Sequence, residues 1–205
     1  MRLDVGSVGA VFLTFALTFP VAAAGGRAGA AVDRPPGTAT LSRGLLHNGD
    51  SLAVGTALYL PRALPGWRIR TSVSISRHAP EGPAVLRRYG SRLPRVIVVS
   101  LGTNDDPRAL GAFRRAIRST MAVAGRRRCG VWANIVRPPQ AGAGYRGLNT
   151  VLAREARARR NLRVFQWARM ARTHRAWFGS DGVHPSGAGY QARARGIAKE
   201  VRRCR

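Results

Sequence analysis

The run Val96-Ile97-Val98-Val99-Ser100-Leu101 constrains the fold more than any other segment of this chain. Its β-branched and apolar residues follow one another without alternation, so a strand built from them is apolar on both faces. Strands of this kind lie in the middle of a parallel sheet that helices cover on both sides. The segment therefore predicts the central strand of a parallel α/β sheet.

Short apolar runs alternate with longer amphipathic segments along the rest of the chain, as in repeated β–α units. The predicted strands are 45–48, 67–73, 96–101, 130–136 and 162–165. The predicted helices are 52–60, 83–89, 107–124, 148–159 and 186–203. Five strands joined by helices predict one open parallel sheet with helices on both faces, in a single α/β domain.

Residues 1–30 have the composition of a signal peptide. Arg2 precedes an apolar stretch, residues 8–24, and small residues that resemble an A-x-A cleavage site follow it. The stretch is shorter than the roughly 20 residues that a membrane-spanning helix needs. We therefore expect secretion with cleavage, and a retained membrane anchor is the alternative. Residues 31–42, rich in Pro, Gly and Thr, are expected to form a flexible lead-in to a domain spanning 43–205.

The charge of the chain is strongly positive. Lys and Arg total 35 against nine acidic residues, which gives a formal net charge of +26, and every basic residue except Lys199 is Arg. One interpretation is a compositional bias with a solvated charged surface; the other is attraction to an acidic cell-wall polymer, anionic lipid or nucleic acid. The arginines are dispersed along the predicted helices without a nucleic-acid-binding signature, so we expect no nucleic-acid partner. We also expect the protein to be a monomer. Runs such as residues 126–128 can still form a local anion-binding patch.

Two cysteines, Cys129 and Cys204, remain after the signal segment. In a secreted protein such a pair favours a disulfide, here one that ties the last helix to the middle of the chain. Two buried free thiols are the alternative. The four histidines and the two cysteines do not have the spacing of a zinc site, so we expect neither a metal nor a cofactor.

Ligands of an open parallel sheet gather at the carboxyl ends of its strands, and three polar clusters fall at such positions. They are Gly49-Asp50-Ser51 after the first strand, Gly102-Thr103-Asn104-Asp105 after the central strand, and Asp181-Gly182-Val183-His184 before the last helix. Each cluster alone has an ordinary structural explanation, namely a helix cap for the first and turns for the other two. Together they point to a catalytic site.

The chemistry that these clusters can support is nucleophilic catalysis by serine. Ser51 can cap the following helix or act as a nucleophile, and a nucleophilic hydroxyl needs a base that takes its proton. His184 is a candidate base, and Asp181, three residues earlier, can orient the imidazole. Asn104 can donate its side-chain amide to the oxyanion of a tetrahedral intermediate.

These motifs resemble the conserved blocks of the SGNH hydrolases, the GDSL esterase/lipase superfamily. The resemblance covers about residue 45 to the C-terminus and implies a three-layer α/β/α sandwich with a five-stranded parallel, flavodoxin-like sheet. It implies Ser51 as nucleophile and as an oxyanion-hole donor, Asn104 as a second donor, His184 as base and Asp181 as its partner. The family's second block usually holds a glycine whose N–H also serves the oxyanion hole. This chain has no glycine there, and Ser76 is the candidate for that position.

Further features resemble the SGNH domains that act on acetylated cell-wall glycans. They suggest substrate-binding roles for Arg77, beside Ser76, and for Trp177; both Trp177 and Trp167 are alternatively core residues. We therefore expect a secreted serine esterase that hydrolyses short acyl esters, acetyl among them, of a small molecule or a polysaccharide. The alternatives are an acyltransferase or a lipase on the same fold, or a non-catalytic module that binds anionic cell-wall polymer or lipid.

Overall fold

The structure of the protein is a computed structural model that describes residues 43–204. Its centre is a sheet of five parallel strands in the order β2-β1-β3-β4-β5. The strands are β1 (Gly44–Gly49), β2 (Arg68–Val73), β3 (Val96–Ser100), β4 (Cys129–Ala133) and β5 (Leu162–Phe165). β3 lies in the middle and all its residues are buried, which confirms the prediction from its apolar sequence. The predicted signal peptide and lead-in lie outside the described residues.

Helices cover both faces of the sheet and make the predicted three-layer α/β/α sandwich. They are α1 (Ser51–Ala57), α2 (Leu60–Ala63), α3 (Gly82–Tyr89), α4 (Leu110–Ala124), α5 (Arg146–Arg157), α6 (Trp167–Arg172) and α7 (Gly187–Arg202). One core lies between the sheet and α3, α4 and α5, and contains Leu86, Ile117 and Leu148. The second core lies beneath α2, α6 and α7, and contains Leu60 and Ile197. Within residues 43–204 no helix has both the length and the hydropathy that crossing a bilayer requires.

The structure differs from the sequence prediction at several element ends. The predicted helix 52–60 is two helices, because the first ends at Ala57 and Pro61 lies in the first turn of α2, where proline is tolerated. The predicted strand 130–136 ends at Ala133, because the following residues are bonded by side chains. Asn134 accepts a hydrogen bond from the Ala168 N–H at 2.7 Å, and Asn149 bonds both backbone groups of Ile135 at 2.8 Å.

Cys129 and Cys204 form a disulfide, with their Cα atoms 5.7 Å apart. Cys129 is the first residue of β4 and Cys204 follows the end of α7. The bond therefore holds the last helix, which covers one face of the sheet, to the beginning of an inner strand.

Removing this disulfide is expected to destabilise the fold. The two cysteines are 75 residues apart, and a loop of that length constrains the unfolded chain by roughly 4 kcal/mol in the chain-entropy estimate. We expect the double substitution Cys129→Ser/Cys204→Ser to lower the urea midpoint clearly, and reductant to lower that of the parent protein equally. Reductant should leave the double variant unchanged. An identical midpoint for parent and variant would contradict this expectation.

Candidate active site

The three polar clusters lie at the carboxyl edge of the sheet, and the turn after β1 is shaped by close packing. A Cβ added at Gly49 would lie 2.4 Å from the Ala53 Cβ and 2.8 Å from the Ser100 carbonyl oxygen, so only glycine fits between β3 and α1. The Asp50 N–H then bonds the Ser100 carbonyl at 3.0 Å, and the chain turns directly into α1. This tight turn puts Ser51 at the first position of the helix.

Asp50, and not Ser51, caps α1. Its Oδ1 accepts the Leu52 N–H at 3.0 Å, and its side chain is buried. Burial raises the pKa of Asp50, opposed mainly by the charge of Arg193. Because the cap is supplied by the neighbouring residue, the Ser51 hydroxyl is available, and its Oγ lies 2.9 Å from His184 Nε2.

His184 is held in a short turn between Phe178 and Pro185, which pair as an antiparallel bridge. Asp181 organises this turn, because its Oδ1 accepts the N–H groups of Val183 at 2.9 Å and His184 at 3.0 Å. Its Oδ2 lies 2.6 Å from His184 Nδ1. Gly182 has a φ of 63°, in the left-handed region that favours glycine.

The environment of Asp181 keeps its carboxylate charged. The Val183 N–H, the His184 side chain and the His184 N–H together lower the pKa of Asp181 to about 2. A charged carboxylate accepts the hydrogen bond from His184 Nδ1–H, which leaves Nε2 without a proton and able to accept from the Ser51 hydroxyl. The arrangement can therefore activate the serine.

The Ser51–His184–Asp181 group lies open to solvent. The side chains of His184 and Asp181 are 49% and 48% exposed. A large molecule can thus approach the serine without displacing a covering segment of the described chain.

Asn104 lies at the same edge, and its amide has a defined orientation. Its Oδ1 accepts a hydrogen bond of 3.4 Å from Arg137 Nη1, which also donates to the Thr103 carbonyl at 2.7 Å. Its Nδ2 donates to the Arg77 carbonyl at 3.3 Å. The second N–H of this amide is free of that bond and can serve an oxyanion. This orienting contact of Arg137 was not predicted from the sequence.

Ser76 has the backbone shape that a glycine would ordinarily supply. Its φ is 61°, and it lies in a turn in which the Arg77 N–H bonds the Ser74 carbonyl at 3.4 Å. The side chain is exposed. The loop after β2 therefore contains a left-handed residue, and the assignment of Ser76 to the oxyanion hole stays a prediction.

Two side chains fix the loop that carries Ser76. Arg77 donates through Nη1 to Asn48 Oδ1 at 3.0 Å and also to the Ser72 carbonyl, so its guanidinium binds the ends of β1 and β2. The Asp105 carboxylate accepts the Ala79 N–H at 3.0 Å. The substrate-binding role of Arg77 stays a prediction. No role was predicted for Asp105, although its place in Gly-Thr-Asn-Asp was a signal.

The two tryptophans differ in burial. Trp167 is fully buried in the core under α7, whereas Trp177 is half-buried. The Trp177 ring is stacked on His174 at 3.9 Å between centroids and lies parallel to Trp167 at 6.0 Å. Trp167 is therefore a core residue, and a contact of Trp177 with substrate stays a prediction.

Two basic residues lie buried beneath the site, and neither was singled out from sequence. Burial, assisted by the charge of Arg193, lowers the pKa of His47 to about 3, so this imidazole is neutral at physiological pH. Burial lowers the pKa of Arg193 to about 10, and its Nη2 donates to Ser100 Oγ at 3.0 Å. His47 is 0% exposed and bonds only Ser100, so it does not compete with His184 as a base for Ser51.

Comparisons with known proteins place the chain in a family. The model of the GDSL-like lipase/acylhydrolase family matches residues 26–192. Among curated proteins, none matches the sequence significantly.

Solved structures resemble the fold at low sequence identity. The C-terminal catalytic domain of Streptococcus pneumoniae peptidoglycan O-acetyltransferase A is 19% identical, with a TM-score of 0.63 over 80% of this chain and 92% of that one. A carbohydrate esterase family 3 protein from Talaromyces cellulolyticus is 15% identical, with a TM-score of 0.64 over 78% and 96%. A lipolytic G-D-S-L protein from Veillonella parvula is 14% identical, with a TM-score of 0.64 over 77% and 97%.

The family match covers most of the chain and includes all three polar clusters. The five-stranded parallel sheet is the fold of this superfamily, so the expected SGNH relationship is confirmed. The chain belongs to the GDSL-like lipase/acylhydrolase family and is an enzyme of the ester-hydrolysing type.

Proposed function

We propose that the protein hydrolyses short acyl esters through an acyl-Ser51 intermediate. The observation that carries the proposal is the continuous hydrogen-bonded chain from Ser51 Oγ to His184 Nε2, 2.9 Å, and from His184 Nδ1 to Asp181 Oδ2, 2.6 Å. Such a chain lets the imidazole take the serine proton while the carboxylate stabilises the resulting imidazolium.

The reaction proceeds in two halves. Ser51 Oγ attacks the acyl carbon while His184 Nε2 takes its proton; the ester C–O bond then breaks, and His184 returns the proton to the departing alcohol. Water next attacks the acyl-Ser51, His184 takes a proton from that water, and the acid leaves as Ser51 regains its hydrogen. The oxyanion of each tetrahedral intermediate accepts hydrogen bonds from the Ser51 N–H, the Asn104 amide and the Ser76 N–H.

The substrate that we propose is a short acyl ester, such as acetyl, carried by an extracellular glycan or a related alcohol. The exposed His184 and Asp181 favour an ester on a large molecule, which can lie across the open edge. The resemblance to a peptidoglycan O-acetyltransferase domain and to a carbohydrate esterase supports this class. The disulfide supports secretion, since such bonds persist in oxidising compartments.

An acyltransferase is the second candidate, supported by the same likeness to the O-acetyltransferase domain. It would use the same acyl-Ser51, with a sugar hydroxyl in place of water. An enzyme with long-chain specificity and a binding module without catalysis are further alternatives.

The test is a rate measurement on p-nitrophenyl esters of increasing chain length, with mass spectrometry of the protein during turnover. We expect the highest kcat/KM with acetate, and with a slowly hydrolysed ester a mass increase of one acyl group on the peptide that contains Ser51. Addition of a soluble oligosaccharide separates the candidates, since a transferase forms the acylated sugar. Absence of turnover on every ester and of any acyl adduct would refute the proposal.

Replacing Asn104 by alanine tests the proposed oxyanion donor. Loss of one such donor typically reduces kcat by about 10²- to 10³-fold, because the negative charge of the transition state loses a preorganised partner. We expect a loss of this size in kcat with little change in KM for p-nitrophenyl acetate. The control variant is Gln191→Ala, at an exposed position on α7, and it should retain full activity. Asn149→Ala would not serve as a control, because the Asn149 side chain bonds the backbone of Ile135. Equal rates for Asn104→Ala and the parent would remove Asn104 from the oxyanion hole.

The substitution Ser76→Gly tests whether the backbone or the hydroxyl of Ser76 matters. Glycine relieves the positive φ of 61°, a conformation that costs a non-glycine residue about 1 kcal/mol. Since the proposed donor is the backbone N–H, we expect kcat within about threefold of the parent value and an unchanged or slightly higher urea midpoint. A loss of activity of more than about tenfold would assign the hydroxyl itself a role.

A further inference from the structure

A cluster of exposed arginines lies at the edge of the sheet opposite to Ser51. Each of the segments that lead into β1, β3, β4 and β5 carries arginine, and the end of α7 adds two more. The exposed ones are Arg43, Arg95, Arg126, Arg127, Arg160, Arg202 and Arg203. Since all strands are parallel, these segments share the amino edge, while the proposed catalytic residues share the carboxyl edge.

The acidic residues have the opposite distribution. Within residues 43–204, most carboxylates lie in segments that follow the carboxyl ends of strands or precede α7, namely Asp50, Glu81, Asp105, Asp106 and Asp181. Glu155 is already paired with Arg118 and Arg159. Glu200, near the end of α7, is paired with Arg163 and Arg203. The amino edge therefore carries positive charge that the described part of the chain does not neutralise.

The amino edge is concave and not flat. A groove of about 680 Å³ is lined by residues 126–128, by Arg160 and Arg163, and by Arg202 and Arg203. The disulfide between Cys129 and Cys204 also lines it. A second groove of about 630 Å³ contains Arg43 and Arg95 and shares the disulfide with the first, so the two adjoin. We name this surface the amino-edge groove.

Several guanidinium groups of the amino-edge groove are available to a ligand. Arg128 is held by the carbonyls of Leu93 and Ala124 at 3.1 and 3.0 Å, which stiffens the wall. Arg126, Arg127 and Arg160 are exposed, and none of them makes a side-chain hydrogen bond or ion pair with another residue of the range 43–204. Arginine donates from a planar fork that matches the oxygens of a phosphate group bidentately.

We propose that the amino-edge groove binds an extended polymer of repeated phosphate groups. Successive guanidinium groups along the two adjoining grooves complement a chain of evenly repeated anions, whose backbone needs no specific recognition. The polymer would hold the protein while the opposite edge, with Ser51, faces outward.

The composition of the groove favours such a polymer over a bilayer or a nucleic acid. The large exposed apolar residues of the described chain are Val54, Leu58, Ile75 and Leu110, and none of them lines the groove, so there is nothing to insert into lipid. Its only aromatic lining residue within the described range is Trp67, which is half-buried against the core. Proteins that bind single-stranded nucleic acid stack successive bases on several aromatic side chains.

The test measures binding of the purified full chain to a fluorescently labelled inorganic polyphosphate chain at low and moderate salt. The groove variant is Arg126→Gln/Arg127→Gln/Arg160→Gln. The control variant Arg115→Gln/Arg146→Gln/Arg195→Gln removes the same number of exposed charges from the outer faces of α4, α5 and α7. Parallel measurements use a single-stranded oligonucleotide of equal charge and vesicles of anionic phospholipid.

We expect the groove variant to bind polyphosphate about tenfold or more weakly than the parent, because it loses close ion contacts. The affinity of the parent should fall steeply with salt, because salt screens those contacts. The control variant should keep at least half of the parent affinity. Turnover of p-nitrophenyl acetate should be the same in all three proteins, which separates this proposal from the catalytic one.

Three results would overturn the proposal. Equal affinities of parent and groove variant would show that the groove does not bind the polyanion. An equal loss in the control variant would reduce the effect to net charge. Tighter groove-dependent binding of the oligonucleotide or of the vesicles than of polyphosphate would assign the surface to another class of partner.

Discussion

Ser51→Ala is expected to abolish ester hydrolysis, with a fall in kcat of about 10⁴- to 10⁶-fold on p-nitrophenyl acetate. The loss is this large because without Oγ no acyl-enzyme forms, and only direct attack by water remains. The substitution should not disturb the helix that begins there. Asp50 supplies the cap of α1 through the Leu52 N–H, and alanine is a good helix former.

The measurement compares purified parent and variant in single-turnover and steady-state kinetics, with the urea midpoint as a check on folding. Ser91→Ala is the matched control, since Ser91 is exposed in a short 3₁₀ helix at the other edge of the sheet. We expect the control to have parent activity. A Ser51→Ala variant with the parent midpoint and more than a tenth of the parent rate would rule out Ser51 as the nucleophile.

Asp181→Asn is expected to lower kcat by about 10³- to 10⁴-fold while KM changes little. The asparagine can keep the turn, since its Oδ1 can still accept the N–H groups of Val183 and His184. The asparagine Nδ2 is a donor, so His184 Nδ1 must accept a hydrogen bond from it. The imidazole hydrogen then resides on Nε2, which can no longer accept the hydrogen bond from the Ser51 hydroxyl.

The control for Asp181→Asn is Asp106→Asn. The Asp106 side chain also accepts a backbone N–H, that of Arg108 at 2.9 Å, in an exposed turn at the same edge, but it contacts no histidine. We expect this control to retain parent activity. If Asp181→Asn retained more than a tenth of the rate, the carboxylate would not orient the base.

The contribution of Asp181 to folding should persist in mild acid. Its pKa is lowered in the folded protein to about 2 from the ordinary 3.8, so the charged form is the one that the turn stabilises. That stabilisation is fully present above pH 3.8 and disappears only as the pH falls through about 2.

The sheet could be predicted from sequence because β3 is an uninterrupted apolar run and the other strands are short segments with apolar residues that alternate with longer amphipathic ones. The positions of the three polar clusters along the chain predicted that Ser51 and His184 would meet, although 133 residues separate them. A parallel sheet has only one carboxyl edge, so residues that follow different strands converge there.

Other features depend on packing that sequence patterns do not record. α6 was not predicted, because its six residues mix arginine with apolar residues and are too few to show a helical period. The structure shows that Trp167 and Ala171 form its buried face. The backbone shape at Ser76 was not evident from a residue type that rarely adopts positive φ. Arg193 was indistinguishable from the exposed arginines of α7 until the helix was docked on the sheet.

The contact between Ser51 and His184 joins the beginning of the domain to the turn before its last helix. During synthesis the proposed nucleophile therefore emerges long before its proposed base, and a partly made chain carries an unactivated serine. Pairings between such distant segments also form late and slowly in folding. Appearance of esterase turnover would consequently report completion of the whole sheet, and an unfinished chain would not attack esters of the cell that makes it.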